Sequence, residues 1–251
     1  MKRLLMVFVA LGGLLGSLAV GPAGAAEGDY EMPVLFEWDT AVLDVIIVPP
    51  VHGQLLNDNG LLGGLGLGEL TLSNSYLAAI EQSVAGFDRA VEEFGPDWLK
   101  RGLTTNVYVL GRDTIPTEAL LEPEVLIVTD ETKLAILGAA VTSVRPCIVD
   151  NSKLFITSFT FEDMYNINGQ EYGHCLGLEH VAGGPPGDEV IAHDTLNGNY
   201  ADTPGAAGTH RHCVSNLNVK GLELVFSRTL GQGPGGGVAR MAPSSYRRIA
   251  C

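Results

Sequence analysis

The spacing of apolar residues along the chain predicts a long helix in its first half. Between residues 77 and 91, apolar side chains recur every three or four positions, so they form one stripe on a helix. Ser73 or Ser75 can cap the start of this helix, and Gly95 followed by Pro96 ends it.

Two further helices are predicted nearer the C-terminus. Residues 161–176 have a helical pattern that ends at Gly177, and residues 215–230 carry apolar side chains at helical spacing. Glycine and proline are frequent between these two helices. Residues 231–237 are so rich in glycine that they are expected to form a flexible linker to a short tail.

Short apolar runs predict the strands. The first run covers residues 43–48 and is ended by two prolines. The further strand candidates are residues 105–110, 125–129, 135–144 and 153–158. A strand, a long helix, several strands and a second long helix together predict an α/β (α+β) fold class.

The first 25 residues are typical of a secretory signal peptide. Two basic residues precede an apolar run over residues 4–20, and the small residues 23–25 match a cleavage site of the A-x-A kind. A membrane anchor is the alternative, but the run is short for a span and is interrupted by three glycines. We therefore expect a secreted mature chain that begins near Ala26 and has no stable membrane association after cleavage.

The charge of the chain argues against one class of partner. The whole chain has 15 basic and 29 acidic residues and a formal charge of -14. Removal of Lys2 and Arg3 with the signal peptide leaves 13 basic residues and a charge of -16. Such a surface repels phosphate backbones and anionic lipid headgroups, so we expect no nucleic-acid binding.

All four cysteines lie in the predicted mature chain. They are Cys147, Cys175, Cys213 and Cys251. An even number of cysteines after a signal peptide predicts two disulfides. Four cysteines allow three pairings, of which we expect Cys175 with Cys213 and Cys147 with Cys251.

A segment with the sequence QEYGHCLGLEH, which begins at Gln170, carries the candidate chemistry. Gln170 and His174 lie one turn apart on a helix and share a face, with Glu171 beside them. Gly177 lets the chain leave the helix in a conformation that other residues resist, and the turn returns His180 to the same place. Three side chains so arranged can hold one metal ion and leave a position open for water.

This segment resembles the HExxHxxGxxH signature of the metzincin zinc endopeptidases. Glu171, His174, Gly177 and His180 match the signature in place, whereas Gln170 stands where the first histidine is expected. The order of strand, helix, strands and second helix is also that of the family.

The resemblance covers most of the chain, from about residue 43 to residue 230, and it implies the architecture. The expected N-terminal lobe, residues 26–180, has a mixed twisted sheet with two long helices. The expected C-terminal lobe, residues 181–251, is irregular and contains one helix.

The resemblance also implies a cofactor and a reaction. Zn²⁺ is expected to be held by His174 and His180 and, more weakly, by the amide oxygen of Gln170, which is a poorer zinc ligand than imidazole. Glu171 is expected to act as the general base in the hydrolysis of peptide bonds of a peptide or protein substrate.

The family carries a tight turn with a methionine beneath the metal. Residues 193–200 are the expected turn, and Leu196 then takes the position of the methionine as an apolar floor of similar volume. Met241 is the alternative, which we rank lower because a glycine-rich segment precedes it. Tyr200 is a candidate for stabilising a transition-state oxyanion, as a tyrosine does in some relatives.

Gln170 leaves both the third ligand and the function open. His193, His210 or His212 can substitute for the missing histidine, although histidines in a polar loop are commonly only solvated. The chain is then a secreted metallopeptidase with a weakened site, a catalytically inactive pseudoprotease that acts as a secreted binding module, or a disulfide-linked structural domain.

The signal peptide and the cysteine count generate the first testable prediction. The secreted protein should begin near Ala26 and contain no reactive thiol, as measured by N-terminal sequencing and thiol titration. An uncleaved, membrane-bound chain with four reactive thiols would contradict it.

Overall fold

The computed structural model describes most of the chain. The described residues are 7–9, 28–49, 68–129, 146–151, 159–184, 190–198 and 209–251, with side chains described from residue 28 onward and, in the first helix, from residue 76. The strands predicted over residues 135–144 and 153–158 lie outside this part, and so does Tyr200.

Eight strands and five α-helices are present in the described part. The strands are β1 (Val7–Val9), β2 (Tyr30–Pro33), β3 (Val42–Val48), β4 (Thr104–Val109), β5 (Val125–Val128), β6 (Cys147–Asp150), β7 (Ala182–Gly183) and β8 (Val238–Met241). The helices are α1 (Gly68–Phe94), α2 (Asp97–Gly102), α3 (Thr117–Leu121), α4 (Phe161–Cys175) and α5 (Asn216–Phe226).

A parallel sheet forms the centre of the fold. Its order is β1-β6-β5-β3-β4, and all four pairings are parallel. All four residues of β5 and the last four of β3 are buried, as expected of central parallel strands with both faces covered. The edge strand β1 lies in the segment predicted to be the signal peptide.

A second, antiparallel sheet has the order β7-β2-β8. The α/β (α+β) fold class is therefore confirmed, with one parallel and one antiparallel sheet. Strand β8 was not predicted, because only four residues form it and a glycine-rich segment precedes it. That segment, expected to be a flexible linker, is hydrogen-bonded at Gly236, whose N–H donates to Leu224 O at 3.0 Å, and at Gly237, whose carbonyl accepts from Val34 N at 2.9 Å.

The helices lie close to where periodicity predicts them. Helix α1 begins at Gly68, earlier than either serine proposed as its cap, and packs against α4. Helix α4 starts with a capping box in which the Thr160 side chain accepts a hydrogen bond from Asp163 N, and the Asp163 carboxylate accepts one from Thr160 N. Helix α5 begins after Ser215, which forms a capping box with Asn218.

Two disulfides are present and no cysteine is free, as predicted, but the expected pairing is wrong. The disulfides join Cys147 to Cys175 and Cys213 to Cys251, with Cα–Cα distances of 5.4 and 5.8 Å. Helix α4 packs on the parallel sheet, and this packing brings its last residue, Cys175, next to Cys147, the first residue of β6. Two disulfides suggest an oxidising, extracellular-like environment.

None of the described helices combines the length and the apolar character that a membrane span requires.

Candidate metal centre

The end of α4 carries the first histidine of the candidate site. His174 lies in the last turn of the helix, and its residue is only 6% exposed. Gly177 ends the helix with a φ of +95°, a left-handed conformation that favours glycine, and its N–H donates to His174 O at 2.9 Å. Leu178 then forms a bridge with Val34, and the reversed chain places His180 beside the helix.

The structure brings Gln170, His174 and His180 together. The Nε2 atoms of the two histidines lie 3.1 Å apart, with ring centroids 4.6 Å apart and planes inclined by 74°. The side-chain nitrogen of Gln170 lies 2.9 Å from the same Nε2 of His180. Three of the positions that the sequence motif singled out therefore meet at one point.

A hydrogen bond to its other ring nitrogen fixes the tautomer of His174. His174 Nδ1 lies 2.8 Å from the carbonyl oxygen of Leu178, which can only accept, so Nδ1 carries the proton. His180 Nδ1 lies 3.3 Å from a carboxylate oxygen of Glu179. Burial lowers the pKa of His174 most, and nearby His180 lowers it further, although Leu178 and Glu179 oppose the shift. His174 is therefore neutral near pH 7.

It follows that the Nε2 lone pair of His174 points at Nε2 of His180. The two nitrogens, 3.1 Å apart, are joined either by a hydrogen bond, with a proton on Nε2 of His180, or by a metal ion that both bind. Two nitrogen ligands of a tetrahedral zinc ion are about 3.3 Å apart, since each Zn–N bond is about 2.0–2.1 Å. The separation between His174 and His180 is close to that value, so the residues present fit a bound metal.

Glu179 is a site residue that the sequence analysis missed. Among the described residues, His174, Glu179 and His180 form the one group of three histidine, cysteine or acidic side chains whose ligand atoms already lie within 4.8 Å of one another, so this group could hold a metal ion without rearrangement. The side chains of Glu179 and His180 are each 40% exposed, so the group opens to solvent. The sequence indicates this role in one way: a residue with a carboxylate directly precedes His180.

Gln170 competes with Glu179 for the third position. Its amide nitrogen faces His180, but rotation of the amide by half a turn exchanges nitrogen and oxygen and presents an oxygen at the same place. Glu179 already contacts the Nδ1 side of His180, where a carboxylate orients a metal-binding imidazole without being a ligand itself. We therefore favour Gln170 as the third ligand and Glu179 as the partner of His180.

Glu171, the predicted general base, is the next residue after Gln170 on α4 and is half-buried. Tyr200, the other predicted catalytic residue, lies outside the described residues.

A turn after His180 supports the two histidines. Leu196 is fully buried, and a Cβ atom added at Gly173 would lie only 2.7 Å from its Cδ2, so this turn touches α4 directly before His174. A Cβ atom added at Gly198 would lie 3.1 Å from His180 Cγ, so the same turn backs the second ring. Met241, the alternative for the floor position, lies instead in β8.

The turn is held in place by a buried carboxylate. Asp194 accepts hydrogen bonds from Leu196 N at 2.9 Å, from Asn218 Nδ2 at 3.1 Å and from the Tyr246 hydroxyl at 2.6 Å. Burial raises the pKa of Asp194, although its hydrogen-bond donors, Ser215 among them, oppose the shift. These bonds connect the turn to α5 and to the C-terminal segment.

The remaining candidate ligands form a separate group. His193 packs against His210 and His212, with ring centroids 5.2 and 5.9 Å apart. In the described part of the chain, the metal-ligating group around His174 includes none of the three. Burial lowers the pKa of His212 to about 4, and the nearby His193 and Arg248 add to the shift.

Comparison of the chain with protein-family models, with curated proteins and with solved structures finds no match. Its function has to be inferred from its own residues and their geometry.

The buried imidazole of His212 generates a prediction about stability and pH. Unfolded histidine takes up a proton below about pH 6.5, whereas folded His212 stays neutral to about pH 4. The contribution of His212 to the free energy of unfolding is therefore fully present above pH 6.5, and it is lost as the pH falls from 6.5 towards 4. The loss should be about 3 kcal/mol, from the size of the pKa shift.

The test is urea unfolding of chelator-treated protein near pH 7 and near pH 4. His212→Gln should lose less stability between these conditions than the unchanged chain. Equal losses would show that the surroundings of His212 do not hold it neutral.

Proposed function

We propose that the chain is a secreted zinc metallopeptidase of the metzincin type, with a metal site weakened at Gln170. The observation that carries the proposal is the pair of inward-facing Nε2 atoms of His174 and His180, 3.1 Å apart. The Leu178 carbonyl accepts from Nδ1 of His174, and a Glu179 carboxylate oxygen lies 3.3 Å from Nδ1 of His180; carbonyls and carboxylates at these positions orient metal-binding histidines.

The surroundings of the pair support the assignment to this class. Glu171, His174, Gly177 and His180 keep the spacing of the metzincin signature, and the turn that carries Leu196 packs beneath the helix where the family has its methionine. The two disulfides agree with a chain exported to an oxidising environment.

His174, His180 and Gln170 would hold the ion, and Glu179 would fix the orientation of His180. Zinc, when bound, would supply Lewis-acid activation of water and of the scissile carbonyl. Glu171 accepts the proton of the attacking water and passes it to the leaving amine, as a general base and then a general acid.

The second candidate is a pseudoprotease that binds peptides without cleaving them. Gln170 favours it, because an amide oxygen gives a weaker zinc ligand than imidazole. Zinc content and casein cleavage, measured on one purified sample, separate the two candidates. Zinc with cleavage supports the peptidase, and folded protein without cleavage at saturating zinc supports the binding module.

Glu171 provides the test of mechanism. Glu171→Gln should remove nearly all peptidase activity and leave bound zinc unchanged, because the base is not a ligand. The control is Glu92→Gln, which neutralises an exposed carboxylate on α1 and should keep full activity. Unchanged cleavage by Glu171→Gln would mean that the activity comes from another site or from a contaminant.

Gln170 provides the test of the ligand set. Gln170→His should tighten zinc binding at least about tenfold, or about 1.4 kcal/mol, because an imidazole nitrogen replaces an amide oxygen beside His180. Competition titration with a zinc chelator at one pH measures the change. Gln232→His is the control, since it adds a histidine at an exposed loop position and should leave affinity unchanged.

Equal zinc affinities for Gln170→His and the unchanged chain would show that position 170 does not face the metal.

A further inference from the structure

A second cluster of histidines lies on two segments that the fold holds side by side. One ends at His193, the last residue of the 3₁₀ turn Val190–His193, and the other contains His210 and His212. Backbone hydrogen bonds join them, from Cys213 N to His193 O at 2.9 Å and from Thr195 N to Cys213 O at 3.1 Å.

Helix α4 and a disulfide fix the second segment further. The Asn166 side chain donates to His210 O at 3.1 Å and accepts from His212 N at 2.7 Å. One side-chain amide is therefore hydrogen-bonded to the backbone on both sides of Arg211. Cys213 is bonded to Cys251. The backbone positions of the histidines are therefore set before any ligand binds.

One ring nitrogen of this cluster, Nδ1 of His193, is buried and has no hydrogen-bond partner among the described residues. Burial of a nitrogen without a hydrogen-bond partner is unfavourable, and binding of an ion is one way in which such a nitrogen is satisfied.

We infer that His193, His210 and His212 form a second binding site for a divalent transition-metal ion, separate from the site at His174. Imidazole nitrogens prefer zinc, nickel and copper over calcium and magnesium. The ring centroids, 5.2 and 5.9 Å apart, are farther apart than those of the primary pair. Closure on one ion therefore requires rotation of His210, which is exposed.

The space beside the cluster admits an ion. A cavity of about 530 Å³, lined by His193, His210, Arg248 and Cys251 among others, opens to solvent at this place, whereas the buried His212 is not part of its lining. Water or an external ligand can reach an ion held by His193 and His210 from this cavity. Because the positively charged Arg248 also lines the cavity, an anion is the alternative ligand. The experiment below distinguishes a metal ion from an anion.

The experiment uses His180→Ala as the background, because this change removes one of the two imidazoles of the primary site and leaves the second cluster intact. It does not depend on peptidase activity. Titration of the His180→Ala protein with Co²⁺ should give the visible absorption of a histidine-bound ion, with one such site per chain. Adding His210→Ala should weaken that binding at least about tenfold.

Two further variants make the outcome decisive. Adding His193→Ala should also remove the cobalt spectrum, and thermal unfolding verifies that each variant is folded. Arg248→Ala in the same background should keep cobalt binding. No cobalt spectrum in the His180→Ala protein, or equal cobalt affinity after loss of His210, overturns the inference. Phosphate binding that is lost in Arg248→Ala, without any cobalt binding, would assign the cavity to an anion instead.

Discussion

The candidate site depends on the direction of two imidazole rings. The Leu178 carbonyl accepts from Nδ1 of His174, and a Glu179 carboxylate oxygen lies 3.3 Å from Nδ1 of His180, so both Nε2 atoms turn towards the same point. At 3.1 Å, the two nitrogens share either a proton, in a hydrogen bond, or a metal ion. Protons and metal ions compete for this position, and metal affinity is therefore expected to fall as the pH falls.

The rest of the fold keeps the two rings in this position. The disulfide from Cys147 to Cys175 attaches the end of α4 to β6, one residue after His174. Gly173 and Gly198 let the turn around Leu196 approach the helix and the His180 ring more closely than larger residues would allow. The buried carboxylate of Asp194 holds that turn against α5 and the C-terminal segment.

The helices that carry the site, and the meeting of its three side chains, could be predicted from local sequence patterns. Periodicity located α4 and α5 well, because an amphipathic helix needs only its own residues to define a face. The spacing from residue 170 to residue 180 predicted that three side chains would meet, since a helical turn and a glycine break are local features.

Features that depend on contacts between distant parts of the chain could not be predicted from the sequence. The disulfide pairing was wrong because it depends on which strand the end of α4 reaches. Strand β8 is short and becomes visible only through its pairing with β2. Glu179 was missed because its contact with His180 Nδ1 depends on the path of the chain after Gly177.

The central claim is that one metal ion lies between His174 and His180. The most direct measurement is an anomalous difference map at the zinc edge, from crystals of the protein grown with zinc near neutral pH. The account predicts a peak about 2.0–2.1 Å from the Nε2 atoms of both histidines. A map with no peak there, in which Nε2 of His174 and Nε2 of His180 still face each other, would contradict it.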